Sequence, residues 1–148
     1  MRWVTHVVAA TSLAALTMNP VFTAVAAGFS IAPDLLENRV RTQVRKAAKK
    51  KYIMTKYRVK VKHRNRVTHN FAAGLAILSL YPFLGTISLA MAFGYIHHLI
   101  LDATTKYGVL FFNKRIHGKM SSMSTRDNVI VAAVHLIPVI LILSLVFL

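Results

Sequence analysis

The chain's side chains for acid–base or metal chemistry are seven histidines and four acids, with no cysteine. Most of them sit beside or within apolar stretches, namely His6, Asp34, Glu37, His69, His97, His98 and Asp102, while His63 lies in a basic stretch just before His69. A carboxylate in such a setting is costly to bury unless a partner compensates its charge. A divalent cation is one such partner, and neutral imidazole is its commonest nitrogen donor. With no thiolate available, a metal here would be held by nitrogen and oxygen. That suits zinc, manganese, iron or nickel better than an iron–sulfur cluster or Cu(I). His98 and Asp102 are four apart and share one helix face, whereas His97 points ~100° away. Each piece alone has an ordinary reading. Pro33-Asp34 can be a helix stop with its cap, and His98 with Asp102 a hydrogen-bonded pair.

The elements that must position these groups are read from hydropathy. Hydrophobic residues make up 55% of the 148 residues, and the mean hydropathy is +0.52. This is too apolar for an ordinary soluble domain. The run 128–148 matches a ~30 Å bilayer core at ~1.5 Å per residue. Backbone groups in hydrocarbon must bond internally, so the apolar runs are predicted to be helices. A first helix covers residues 4–18. Asn19-Pro20 opens a second, with Asn as cap and Pro at the first position, and Pro33 ends it. A third covers 68–80, the Pro and Gly of 81–85 make a turn, and a fourth covers 86–105. Ser124 or Thr125 caps a fifth. The expected fold is all-α and integral to a membrane, with four to five helices as two short hairpins plus one C-terminal transmembrane helix. The whole chain, 1–148, is one membrane domain with a basic arm at 39–66. Arg2, the apolar run 7–16 and the A-x-A at 24–26 resemble a signal peptide, but the apolar run continues past that site, so the segment is expected to be retained. His135, ~15 Å from the cap of the last helix, is read as an interhelical hydrogen bond.

Two hairpins put Arg2, Pro33, the arm, His69 and Lys106 on one side, while the opposite turns carry no charge. Lys/Arg-rich loops stay cytoplasmic, so the arm and the polar cluster are expected to face the cytoplasm from the inner (cell) membrane. On this topology His6, Asp34, Glu37, His63, His69, His97, His98 and Asp102 converge at one depth. This joint occurrence points to a metal site.

The motifs Thr5-His6, Pro33-Asp34, His63-Arg64 with Thr68-His69, and the stretch Gly94-Tyr95-Ile96-His97-His98 through Asp102, Thr105 and Gly108 resemble the membrane-bound metal-dependent hydrolase family of bacterial and archaeal inner-membrane proteins. The resemblance spans roughly residues 5–113. That family is distantly similar to zinc-dependent phospholipase C and single-strand nucleases. The resemblance implies His6, Asp34, His69, His98 and Asp102 as metal ligands, zinc or manganese as the metal, and a phosphoester hydrolysed with water as the nucleophile. Asp34 or Glu37 would orient that water or take its proton. His63, Arg64, Arg66 and Thr105 are the candidate substrate-binding residues. Leu36 and Glu37 replace the family's Asp and His, the His63–His69 spacing is one residue longer, and Asn70 replaces a Ser. These changes leave donors for one or two metals and allow a degenerate, non-catalytic member.

The arm holds thirteen Lys and Arg between 39 and 66 and no acid. Anionic lipid headgroups are the expected partner, at about 1 kcal/mol per cation near an acidic leaflet. Nucleic-acid phosphates are the alternative, but Tyr52 and Tyr57 are thin for base stacking. The expected function is hydrolysis of a lipid-linked phosphoester. The alternative is a non-catalytic membrane adaptor that binds a nucleic acid or an acidic partner through the arm.

Overall fold

A computed structural model describes residues 3–51, 68–111, 114–121 and 124–146. They form α1 (Trp3–Ala15), α2 (Pro20–Phe29), α3 (Ala32–Lys51), α4 (Phe71–Leu78), the single turn α5 (Tyr81–Leu84), α6 (Thr86–Ala103), strands β1 (Val109–Phe111) and β2 (Lys114–Ile116), and α7 (Thr125–Val146). The fold is mostly helical, as expected. Among the described residues, the one sheet is an antiparallel hairpin that pairs Val109 with Ile116. Residues 52–67 of the arm, with His63, Arg64 and Arg66, lie outside the described residues.

Two details correct the sequence reading. The helices are more numerous than four or five, because the expected turn at 81–85 contains α5 and the arm begins as a helix. Pro33 does not end the helical path. After a break at Ser30-Ile31 it sits in the first turn of α3, where its missing N–H costs nothing because that N–H has no intrahelical acceptor. The amide of Leu35 already bonds Ile31 O at 3.1 Å. Asp34 follows in the same first turn, where a negative charge suits the helix dipole. Asn19 caps α2 as expected, its side chain accepting from Phe22 N at 3.0 Å with Pro20 at the first position.

α6 is the central element, packing against α1, α2 and α4. Small residues make these approaches close: Ala9, Ala10, Ala14, Ala26, Ala90 and Ala92 are all buried. A Cβ on Gly94 would overlap the backbone of Ala26, so only glycine lets α2 and α6 cross here. On the other side of α6, Tyr95 and Leu99 bury against Val109, with Phe71 and Ile77 beside them. α1 also packs on α7, where Thr5 Oγ1 donates to Asn128 Oδ1 at 2.6 Å.

α6 and α7 are each long and apolar enough to cross a membrane. The two differ in surroundings, since only 11% of the α7 window is buried against 56% for α6. Val129, Val134, Ile137, Ile140 and Leu145 of α7 are exposed, as are Val21 and Phe83 near the two uncharged turns. α1, α2 and α4, at ~1.5 Å per residue, reach only ~20, ~15 and ~12 Å, too short to span alone.

Candidate metal centre

Four side chains from three places close on one point. Asp34 comes from the first turn of α3, His69 from the segment before α4, and His98 and Asp102 from one face of α6. Each offers one donor atom, and the four atoms lie within 4.8 Å of one another. His69 Nε2 is 3.3 Å from Asp34 Oδ1 and 3.7 Å from Asp102 Oδ2; His98 Nε2 is 3.8 Å and 3.5 Å from the same two atoms. Two donors held at ~2.1 Å by a tetrahedral ion stand ~3.4 Å apart, so these separations have the scale of a shared ion.

The far side of the His98 ring settles its tautomer. His98 Nδ1 lies 2.6 Å from Ser30 O, which can only accept, so Nδ1 carries the proton. His69 has a carboxylate on each side, Glu37 Oε2 3.2 Å from Nδ1 and Asp34 Oδ1 3.3 Å from Nε2, so either nitrogen can carry its proton. Thr68 Oγ1 is also 3.2 Å from Nδ1. His98 Nε2 is therefore a lone pair in the neutral ring, and His69 Nε2 is one in the tautomer that donates to Glu37; both face carboxylate oxygens, and neither has a hydrogen-bond partner. Lone pairs facing carboxylates repel unless a positive charge stands between them. A divalent cation meets that need and neutralises Asp34 and Asp102 together. A carbonyl or carboxylate behind a ligating imidazole is the usual support of a histidine metal ligand. Burial on its own would raise the Asp34 carboxyl; the adjacent His69 and His98 rings more than offset it, leaving Asp34 below the ordinary carboxylate range. It is ionised and ready to bind a cation at neutral pH.

Of the five ligands implied by the family resemblance, four therefore meet. His6 stands one step away. It is fully buried, stacks on His98 with ring centroids 4.0 Å apart, and turns Nε2 to Asp102 Oδ1 at 3.5 Å. Neither of its nitrogens has a hydrogen-bond partner. Asp102 thus directs one oxygen to His6 and the other to His69 and His98. Glu37, expected beside the water, is buried behind His69 on the Nδ1 side. Leu36 points away and is 48% exposed, so a carboxylate at that position would not face the centre. Thr105 is fully buried, and its hydroxyl donates to Asp102 O at 2.7 Å, so it braces the end of α6.

Several supports had no signal in the residue pattern. Tyr95 O–H donates to Thr68 O at 2.7 Å and ties the His69 segment to α6. The Ser30 carbonyl is invisible to any motif. The Thr5–Asn128 bond did have one, since an Asn at the start of an apolar helix and a Thr beside His6 are both polar groups in need of partners. His97 turns to α7: its Nε2 is 3.2 Å from His135 Nε2, while His135 Nδ1 bonds Val131 O at 2.7 Å. The carbonyl fixes the proton on His135 Nδ1, so the neutral pair has His97 donating and His135 accepting. Phe93 stacks on the His97 ring at 5.9 Å.

Comparison of the chain with known protein families, characterised proteins and solved structures finds no match. The function is therefore argued from the centre itself.

Proposed function

We propose that the chain is a membrane-embedded, metal-dependent hydrolase of a phosphoester, with a lipid-linked phosphate as the substrate class and zinc as the first-choice metal, manganese as the second. One observation carries the reading: His69 and His98 turn their Nε2 atoms to Asp34 and Asp102 while their Nδ1 atoms have acceptors behind them. The motif resemblance to metal-dependent membrane hydrolases supports the same set of ligands. The exposed apolar surface of α7 and of the turns at Val21 and Phe83 supports burial in a bilayer.

A divalent ion supplies Lewis acidity toward a phosphoryl oxygen and lowers the pKa of water toward ~7. The chain's residues do the rest. Asp34, His69, His98 and Asp102 hold the charge in place. Glu37 and Ser30 fix the ring orientations from behind. Asp34, the most exposed of the four at 18%, is the one able to accept a proton from an incoming water. The cations that follow Asp34 along α3 draw an anionic substrate to this face.

The test is a panel of phosphoesters offered to the detergent-purified chain with zinc or manganese, beside Asp34→Asn. Turnover that needs the metal and falls at least about a hundredfold in Asp34→Asn supports the reading. A chain that binds metal yet cleaves no phosphate monoester, diester or phospholipid contradicts it and favours the adaptor, whose partner would bind the arm without turnover.

A further inference from the structure

The helix that gives the centre Asp34 and Glu37 does not end there. α3 continues as one helix to Lys51, ~25 Å beyond Asp34 by helical rise. Past Glu37 it carries seven cations, no acid and no aromatic residue. It packs on α2 and α6, and through Asp34 and Glu37 it meets His69. Leu35, Leu36, Asn38, Arg39, Thr42 and Gln43 are exposed, so the helix is already leaving the bundle one turn after Glu37. By their spacing of four, positions 36, 40 and 44 share a face, and all three are Leu or Val. Cations occupy the flanking positions 39, 41 and 45.

We propose that α3 is an interfacial docking helix that lies on an anionic membrane leaflet. Its composition fits that occupant in charge and in shape. Basic flanks meet acidic headgroups, and a Leu/Val stripe of modest width reaches the acyl boundary. The absence of any aromatic from 32–51 weighs against single-stranded nucleic acid, whose sequence-tolerant binding relies on base stacking. The docking rests on the membrane reading of α6 and α7 but not on the metal. Docking also has a consequence for the centre, because the helix held on the leaflet is the one whose first turns bear Asp34 and Glu37. A headgroup phosphate recruited by α3 is thereby brought to the end of the helix that holds the site.

The experiment is hydrogen exchange on the full chain in nanodiscs of phosphatidylcholine alone and of phosphatidylcholine with phosphatidylglycerol. Amides of residues 40–51 exchange about tenfold more slowly in the anionic discs, and the difference disappears in about 1 M salt, where the screening length falls to ~3 Å. A variant with Arg45, Lys46, Lys49 and Lys50 changed to Gln loses the difference while its α6 and α7 amides and its metal content stay as in the wild type. The salt series on the wild type tests the same claim with no substitution. Equal exchange in both discs overturns the docking, and so does protection that appears only when an oligonucleotide is added. A chain that stays out of both disc types overturns the membrane reading and the docking with it.

Discussion

His98 Nδ1 donates to the carbonyl of Ser30 at 2.6 Å, across the crossing of α2 and α6. That bond holds the ring so that its other nitrogen faces Asp34 and Asp102. It forms because Gly94, one turn earlier on α6, lets the backbone of Ala26 approach, one turn earlier on α2. Glycine at 94 and the orientation of His98 are thus one device.

Gly94→Ala tests it. The added Cβ meets the Ala26 carbonyl and pushes the helices apart, at an overpacking cost of about 1–3 kcal/mol. The melting temperature in detergent should fall, and the metal affinity should fall with it, because Ser30 O is carried away from His98. A variant with unchanged affinity would show that the carbonyl does not set the ring.

Glu37→Gln separates an orienting role from a ligating one. Glutamine keeps the volume and an acceptor behind His69 but removes the charge. Metal affinity should drop about 10- to 100-fold, the usual effect of losing a carboxylate behind a ligating imidazole. Asp34→Asn, which changes a donor itself, should lose more. Competition with a graded chelator measures both.

His135→Phe should leave the metal untouched. It removes the His97–His135 hydrogen bond between α6 and α7, worth about 0.6 kcal/mol on average for such intramembrane bonds. The expected result is a small fall in thermal stability with full metal content. Loss of metal would mean that the pair belongs to the centre.

The centre should release its metal on acidification. Asp34 sits below the ordinary carboxylate range, so it stays ionised as pH falls through neutrality. Proton competition then comes from imidazoles, which bind metal only when neutral. With two histidine ligands, affinity should fall as the pH is lowered, steepening toward about two decades per pH unit once protons compete for both rings. Isothermal titration across pH 5–8 reads the slope.

Much of this arrangement was legible in the residues. Asn19-Pro20 announced the start of α2, and the spacing of His98 and Asp102 put both on one face of α6. The clustering of Asp34, His69, His98 and Asp102 followed from hairpins that return to one side. Pro33 misled because it can open a helix as well as close one, and only the geometry of the preceding turn decides which. The role of Glu37 was hidden because a carboxylate in front of an imidazole and one behind it look the same in a sequence. Ser30 was hidden because its carbonyl, not its side chain, does the orienting. In the arm, the seven cations of α3 past Glu37 dilute the apolar pattern from which a helix is read.

The central claim is that Asp34, His69, His98 and Asp102 hold a divalent metal. The most direct measurement is the metal content of the detergent-purified chain by elemental mass spectrometry, beside a His98→Ala/Asp102→Ala double variant. The account predicts about one or more transition-metal equivalents per chain, lost in the double variant while the helical signal in circular dichroism remains. A wild-type chain that holds no metal, even after exposure to zinc and manganese near pH ~7.5, would contradict it.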